Sequence, residues 1–123
     1  MLYAILCYNS EDAVGAWTKA DDDAVMAKLA VVQGRLAKAG KLGPVARLLP
    51  TTAATTLRKS QDPPLVIDGP FAETKEQLLG FYIVDCSALD EALEIARDLG
   101  RANPSGAYEI RPLRSFEPGN GFR

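Results

Sequence analysis

The chain has 123 residues, a length that suits one domain, and 47% of them are hydrophobic, enough to bury a core without disulfides or metal. Its 14 basic and 16 acidic side chains leave a net charge of -2. No basic patch stands out in the sequence, so the electrostatic footprint of a nucleic-acid binder is missing. The chain also contains no histidine. That excludes Ser-His-Asp triads, Cys-His pairs and histidine metal sites, and leaves any proton transfer to a carboxylate, Lys, Tyr or Cys with a shifted pKa.

No apolar run approaches the roughly 18–20 residues that span a bilayer. The opening residues show neither a basic leader nor a small-residue cleavage site, so a cytoplasmic protein without signal peptide or membrane contact is expected. Two cysteines, Cys7 and Cys86, are too few for a zinc knuckle or a disulfide scaffold and read as small buried hydrophobes.

In chain order, Met1 to Tyr8 alternates as a strand. Tyr3, Ile5 and Cys7 share one face, and Leu2, Ala4, Leu6 and Tyr8 the other. Both faces are mostly apolar, which marks a central strand covered on both sides. Asn9 to Ala16 reads as a polar connection. Asp21, Asp22 and Asp23 then open a long helix, where three acids complement the positive end of the helix dipole; a metal site is the remote alternative. Val25, Leu29, Val32 and Leu36 recur on one helical face, Lys38 and Lys41 sit at the negative end, and Gly40 suits a left-handed cap.

Val45 to Leu49 reads as a strand closed by Pro50. Thr55 to Arg58 and Leu65 to Ile67 make a hairpin across a proline-stiffened connection, and Gly80 to Asp85 is a strongly apolar strand. Ser87 is placed to cap a second helix. Its Leu89, Ala92, Leu93, Ala96 and Leu99 follow helical spacing up to Gly100, and burial of the leucines contributes roughly 1.5–3 kcal/mol each. Ala107 to Arg111 is the last strand. Residues 1–114 form one domain in this reading, and the Gly- and Pro-containing stretch 115–123 a loose tail.

Strand, helix, strands, strand, helix, strand packs most simply as an α+β fold: a ferredoxin-like antiparallel sheet with two helices on one face and an extra hairpin. The first strand then lies between strand 80–85 and the last strand. Cys7 and Cys86 fall at opposite ends, on the order of 15–20 Å apart at ~3.3 Å per residue, too far for a disulfide. The sheet face away from the helices is too apolar to stay wet, so a second copy of the chain is expected on it.

Asp68-Gly69-Pro70-Phe71-Ala72-Glu73-Thr74-Lys75-Glu76-Gln77, running into Leu78-Leu79-Gly80, resembles the DGPF-motif branch of the YCII-related family. The threonine-rich Thr51 to Arg58 and the closing Glu109-Ile110-Arg111-Pro112 are similar to the same proteins, so the likeness reaches from the first strand to about Leu113. The resemblance implies ferredoxin-like subunits paired sheet to sheet into a dimeric α/β barrel. It implies a bacterial, cytoplasmic setting, often beside extracytoplasmic-function sigma factors. Related barrels include small isomerases and a dehydrochlorinase, which implies a pocket for an aromatic or lactone-like ligand. Some YCII-related members carry a His-Asp pair proposed as an active site; without histidine, this chain cannot form it.

The motif itself supports two readings. As structure, Asp68-Gly69 is a turn dipeptide, Pro70 fixes the next φ, and Phe71 anchors the turn in the core or a dimer interface. As chemistry, Asp68 and Glu73 are candidate catalytic carboxylates in a cleft at the dimer interface, where desolvation suits a base. Lys75, Arg58, Arg111 and Phe71 are then the candidate ligand-binding residues, the cations taking an anionic substrate or its developing charge. Tyr3, Tyr8 and Tyr82 read as packing residues, and Trp17 as packing or the cap of a pocket. An accessory or regulatory dimer that binds a small anionic or aromatic ligand leads, without metal or cofactor. The alternatives are a small lyase or isomerase with an Asp or Glu base and a purely structural dimer.

Overall fold

The computed structural model describes residues 1–121. In chain order the elements are β1 (Leu2–Asn9), α1 (Glu11–Gly15), α2 (Lys19–Lys38), β2 (Leu42–Arg47), a 3-10 turn (Thr51–Ala53), β3 (Thr55–Arg58), β4 (Leu65–Asp68), β5 (Gln77–Asp85), α3 (Leu89–Ala102) and β6 (Ala107–Pro112). The fold is α+β. Four strands form an open sheet ordered β2-β5-β1-β6, with β3 and β4 a separate hairpin. All pairings are antiparallel, and β1 is central between β5 and β6, as its two apolar faces require.

Alternation decides which side of the sheet the helices cover. Tyr3 and Ile5 of β1 and Tyr82 and Val84 of β5 are buried against Leu29 and Val32 of α2 and Ala92, Ile95, Ala96 and Leu99 of α3. Val25 and Leu36 complete the expected α2 stripe as half-buried residues. The α3 stripe is rotated from the expected one. Leu89, at the first turn, is 50% exposed, and Ile95 takes a core position instead. Leu99 is the α3 leucine that gains full burial.

Helix ends follow local chemistry. α2 starts before the aspartate triplet because Thr18 caps it: the Thr18 hydroxyl accepts from the Asp21 N–H at 3.0 Å, and the Asp21 carboxylate accepts from the Thr18 N–H at 3.0 Å. At the other end Gly40, at φ 71°, donates to the Ala37 carbonyl, and Lys41 N–H to that of Leu36, a Schellman closure. The polar stretch after β1 folds into α1, because the Ser10 hydroxyl accepts from Ala13 N–H. Ser87 does not cap α3. Ala88 occupies the cap position, and the Glu91 carboxylate reaches back to accept from Ser87 N–H at 2.8 Å.

β2 begins earlier than expected and releases Leu48 and Leu49 before Pro50. It runs so close to β5 that a Cβ on Gly80 would stand 2.4 Å from the Ala46 carbonyl oxygen. In the hairpin, Gly69 adopts φ 111° while its N–H donates to the Ala54 carbonyl and its own carbonyl accepts from the Thr56 hydroxyl, both at 2.8 Å. Both cysteines are free. Cys7 pairs with Gly80 while Cys86 follows the Asp85 that faces Leu2, about 20 Å away at ~3.3 Å per residue.

The far face of the sheet carries Ala4, Leu6 and Tyr8 of β1 and Leu79, Phe81 and Ile83 of β5, all half-buried. Leu6 lies opposite Phe81 and Ala4 opposite Ile83. Residues 115–121 contain no helix or strand; the last two positions of the expected tail lie outside the described residues. Among the described residues, no helix is long and apolar enough to cross a membrane.

Candidate functional site

A cavity of about 640 Å³ opens between α2 and the helix-facing side of the sheet. Cys7 of β1 and Tyr82 of β5 contribute to its floor, Met26, Leu29 and Gln33 of α2 form one wall, and Trp17 stands at the α1–α2 junction. Tyr108 of β6 and Asn103, just past α3, belong to the same lining.

Each wall has a local cause. α1 is pinned by Glu11, whose N–H donates to Gln77 Oε1 at 2.9 Å and whose carboxylate accepts from Thr51 N–H at 2.6 Å and from the Thr51 hydroxyl. The motif segment and the threonine-rich turn therefore hold the helix that walls the cavity. At the mouth, Arg47 of β2 donates to both Asp22 oxygens, at 2.6 and 3.3 Å, tying the sheet edge to α2. The loop after α3 turns through Ser105 at φ 83° and Gly106 at φ 77°. A left-handed serine is strained, and Asn9 Nδ2 holds it by donating to Ser105 Oγ at 3.0 Å.

The interior polar groups are neutral. Burial pushes the Cys7 thiol up to about 12, and burial likewise raises the Tyr82 and Tyr108 phenols. Gln33 Nε2 donates to the Tyr82 hydroxyl at a long 3.5 Å. Asn103 lies beside the Tyr108 phenol, and Tyr108 Oη and Asn103 Oδ1 are both shielded from water without a hydrogen-bond partner among the described residues. Such groups cost about 1–3 kcal/mol each.

The motif residues lie elsewhere. Asp68 ends β4, exposed and opposite Thr55. Glu73 is exposed and lines a second hollow of about 340 Å³ with Thr51, Gly69, Pro70, Thr74 and Gln77. Arg58 and Phe71 are brought together, the guanidinium 5.1 Å from the ring centroid. Phe71 is 71% exposed; it does not anchor in the core, because the turn projects it beside the hairpin. Lys75 is exposed in the segment between β4 and β5, and Arg111 lies on the far sheet face opposite Ala4. The single chain thus does not gather Asp68, Glu73, Lys75 and Arg111 into one pocket.

Sequence reasoning missed Gln33, Asn103, Tyr108 and the Asp22–Arg47 mouth. A signal existed: Tyr82 and Tyr108 occupy helix-facing strand positions, and Gln33 adjoins the apolar stripe of α2, so three polar groups interrupt surfaces otherwise built for a core. Among the described residues no group of three or more Cys, Asp or Glu is placed to hold a metal ion.

The YCII-related domain matches residues 1–117 of the chain. An uncharacterized protein of Rhizobium meliloti (strain 1021) is 63% identical over 120 residues, covering 97% of each chain.

Proposed function

This chain belongs to the YCII-related family, and from that premise we propose that it is a small-ligand-binding protein of the DGPF branch, working as a homodimer in an accessory or regulatory role. The cavity of about 640 Å³ carries the reading. It lies within the volume range of ligand pockets, its walls are mostly apolar, and a few polar groups converge inside it. The branch assignment rests on Asp68-Gly69-Pro70-Phe71, and the sigma-factor and cytoplasmic settings rest on that resemblance alone.

The dimer has two supports. A compact monomer of 13.2 kDa exposes about 6,400 Å², whereas this chain exposes 8864 Å². The excess is of the order an obligate partner buries. The apolar far face of the sheet, with Leu6, Phe81 and Ile83, offers the surface for ferredoxin-like subunits to pair into an α/β barrel.

Methionine-methyl NMR tests the cavity. Of the two methionines, Met26 lines it and Met1 is exposed at the surface. Small aromatic compounds are expected to shift the Met26 methyl and leave Met1 in place, and Val45→Trp, which fills the cavity from β2, is expected to abolish the response. Equal shifts at both methionines, or none, refute the reading.

One observation favours a second reading, a lyase or isomerase with Glu73 or Asp68 as base: Glu73 lines the smaller hollow. A base of this type works when desolvated, so the second copy would have to cover these exposed carboxylates. Solvent-deuterium exchange into a panel of lactones reports proton abstraction without the true substrate. This reading expects exchange that Glu73→Gln or Asp68→Asn abolishes while the dimer persists; no exchange by the unmodified protein eliminates it.

A further inference from the structure

We infer that the β3–β4 hairpin, with the Asp68-Gly69-Pro70-Phe71 turn at its base, is an arm that docks on a second copy of the chain. The inference rests on the homodimer proposed above and adds a second surface to the sheet-to-sheet contact.

The hairpin does not rest on its own body. It forms a separate two-stranded sheet. No residue from Thr55 to Phe71 is buried, and none belongs to the core cluster. The turn holds it from within: Gly69 N–H donates to the Ala54 carbonyl, and the Thr56 hydroxyl donates to that of Gly69. A two-stranded ribbon is at best marginally stable in water and needs a further layer to pack on.

Both faces of the ribbon are apolar. Strand alternation puts Leu57 and Val66, paired directly, on one face and Leu65 and Ile67 on the other. Leu57 is 57% exposed, Val66 64% and Leu65 44%. The turn adds Phe71, with the Arg58 guanidinium over its ring. A ribbon folded back on its own chain would hide one of these faces; here each has apolar side chains in water.

A second copy fits as the occupant on three counts. The first is area. The 8864 Å² of this chain exceeds a compact monomer by roughly 2,400 Å², and each chain of an obligate dimer hides about 1,000–2,500 Å². The side chains of the far sheet face are already half-buried, whereas those of the arm stand in water. The second is continuity. Leu48 lies two residues past Ala46 and so on the far face with it, and its N–H donates to the Leu79 carbonyl at 2.8 Å. Exposed Leu48 thus carries the apolar far face from Phe81 toward the arm. The third is charge. Arg58, Lys59, Asp62 and Asp68 cancel within the arm, so two copies meet there without net repulsion, and the arm does not attract a polyanion or an anionic membrane.

Amide hydrogen exchange of the unmodified chain tests the arm, beside a sedimentation dilution series that gives the dissociation constant of the dimer. The hydrogen-bonded amides of β3 and β4 are expected to exchange at least about tenfold more slowly above that constant than below it. Leu57→Asp and Val66→Asp are each expected to weaken the dimer at least about tenfold. Val31→Asp, at a comparably exposed valine of α2, is expected to leave it within about threefold. Arm amides that exchange equally fast at both concentrations, or arm variants that weaken the dimer no more than Val31→Asp does, overturn the inference. The sheet pairing would then stand, and the arm would be left to a different protein. A parent chain that is monomeric at every concentration overturns both. The exchange comparison on the unmodified chain decides the matter even if a variant fails to fold.

Discussion

Cys7 faces the helix layer, its Sγ 3.8 Å from the Ile5 carbonyl oxygen, and charge there would be poorly hydrated. Burial therefore holds its thiol up to about 12, and the thiolate that reacts with electrophiles is scarce at neutral pH. Cys86 is buried and raised as well, first by desolvation and then by Glu91. Iodoacetamide at about pH 8 is expected to leave both thiols of the folded chain unmodified over minutes and to label both after unfolding, read by intact mass. Rapid labelling of Cys7 alone would mean that its thiol ionises far more readily than its burial allows. Cys7 is only half-buried because it borders the cavity, whereas the burial of Cys86 was legible from the chain, because free cysteine beside an apolar strand packs as a hydrophobe. The pairing of Tyr108 with Asn103 was not, since it depends on where β6 and the end of α3 meet in space.

At the scale of elements, α2 is fixed twice, by its Thr18 capping box and by the Asp22–Arg47 bridge to β2. The Arg47 guanidinium, by hydrogen bond first, lowers the Asp22 pKa from its ordinary 3.8. A carboxylate whose folded pKa lies below its unfolded one stabilises the fold above the unfolded value and loses that contribution as pH falls through the folded value. Urea unfolding across the acid range should therefore show Asp22→Asn with a shallower decline in stability below 3.8 than the parent chain. Because both side chains are partly exposed, solvent keeps the effect small; identical acid slopes would remove the bridge as a fastener of the cavity mouth. Asp21, Asp22 and Asp23 illustrate how far a local pattern can be read. Their site at the start of a helix was legible, but their separate duties to Thr18, Arg47 and Lys19 required the fold.

For the whole molecule, the far face of the sheet matters most. Phe81 sits at its centre between Leu6 and Ala46, half-buried in the single chain. Sedimentation at micromolar concentration is expected to give a dimer, and Phe81→Asp, which would bury a charge in a sheet-to-sheet interface, a folded monomer. A monomeric parent chain would refute the pairing. So would a Phe81→Asp variant that stays dimeric, which would move the interface to the hairpin, where Leu57, Val66 and Phe71 are exposed.

By itself the sequence determined the α+β class, the strands, the two long helices, the central position of β1 and the separation of the cysteines. Each follows from periodicity, capping chemistry and the length of a residue in a strand, which act between near neighbours. The tertiary structure decided where the chain leaves a cavity. The motif's carboxylates lie exposed in the single chain, whereas the cavity is assembled from Cys7, Gln33, Tyr82, Asn103 and Tyr108. These residues are far apart in the chain and share a site only because β5 and β6 flank β1 and α2 lies across them.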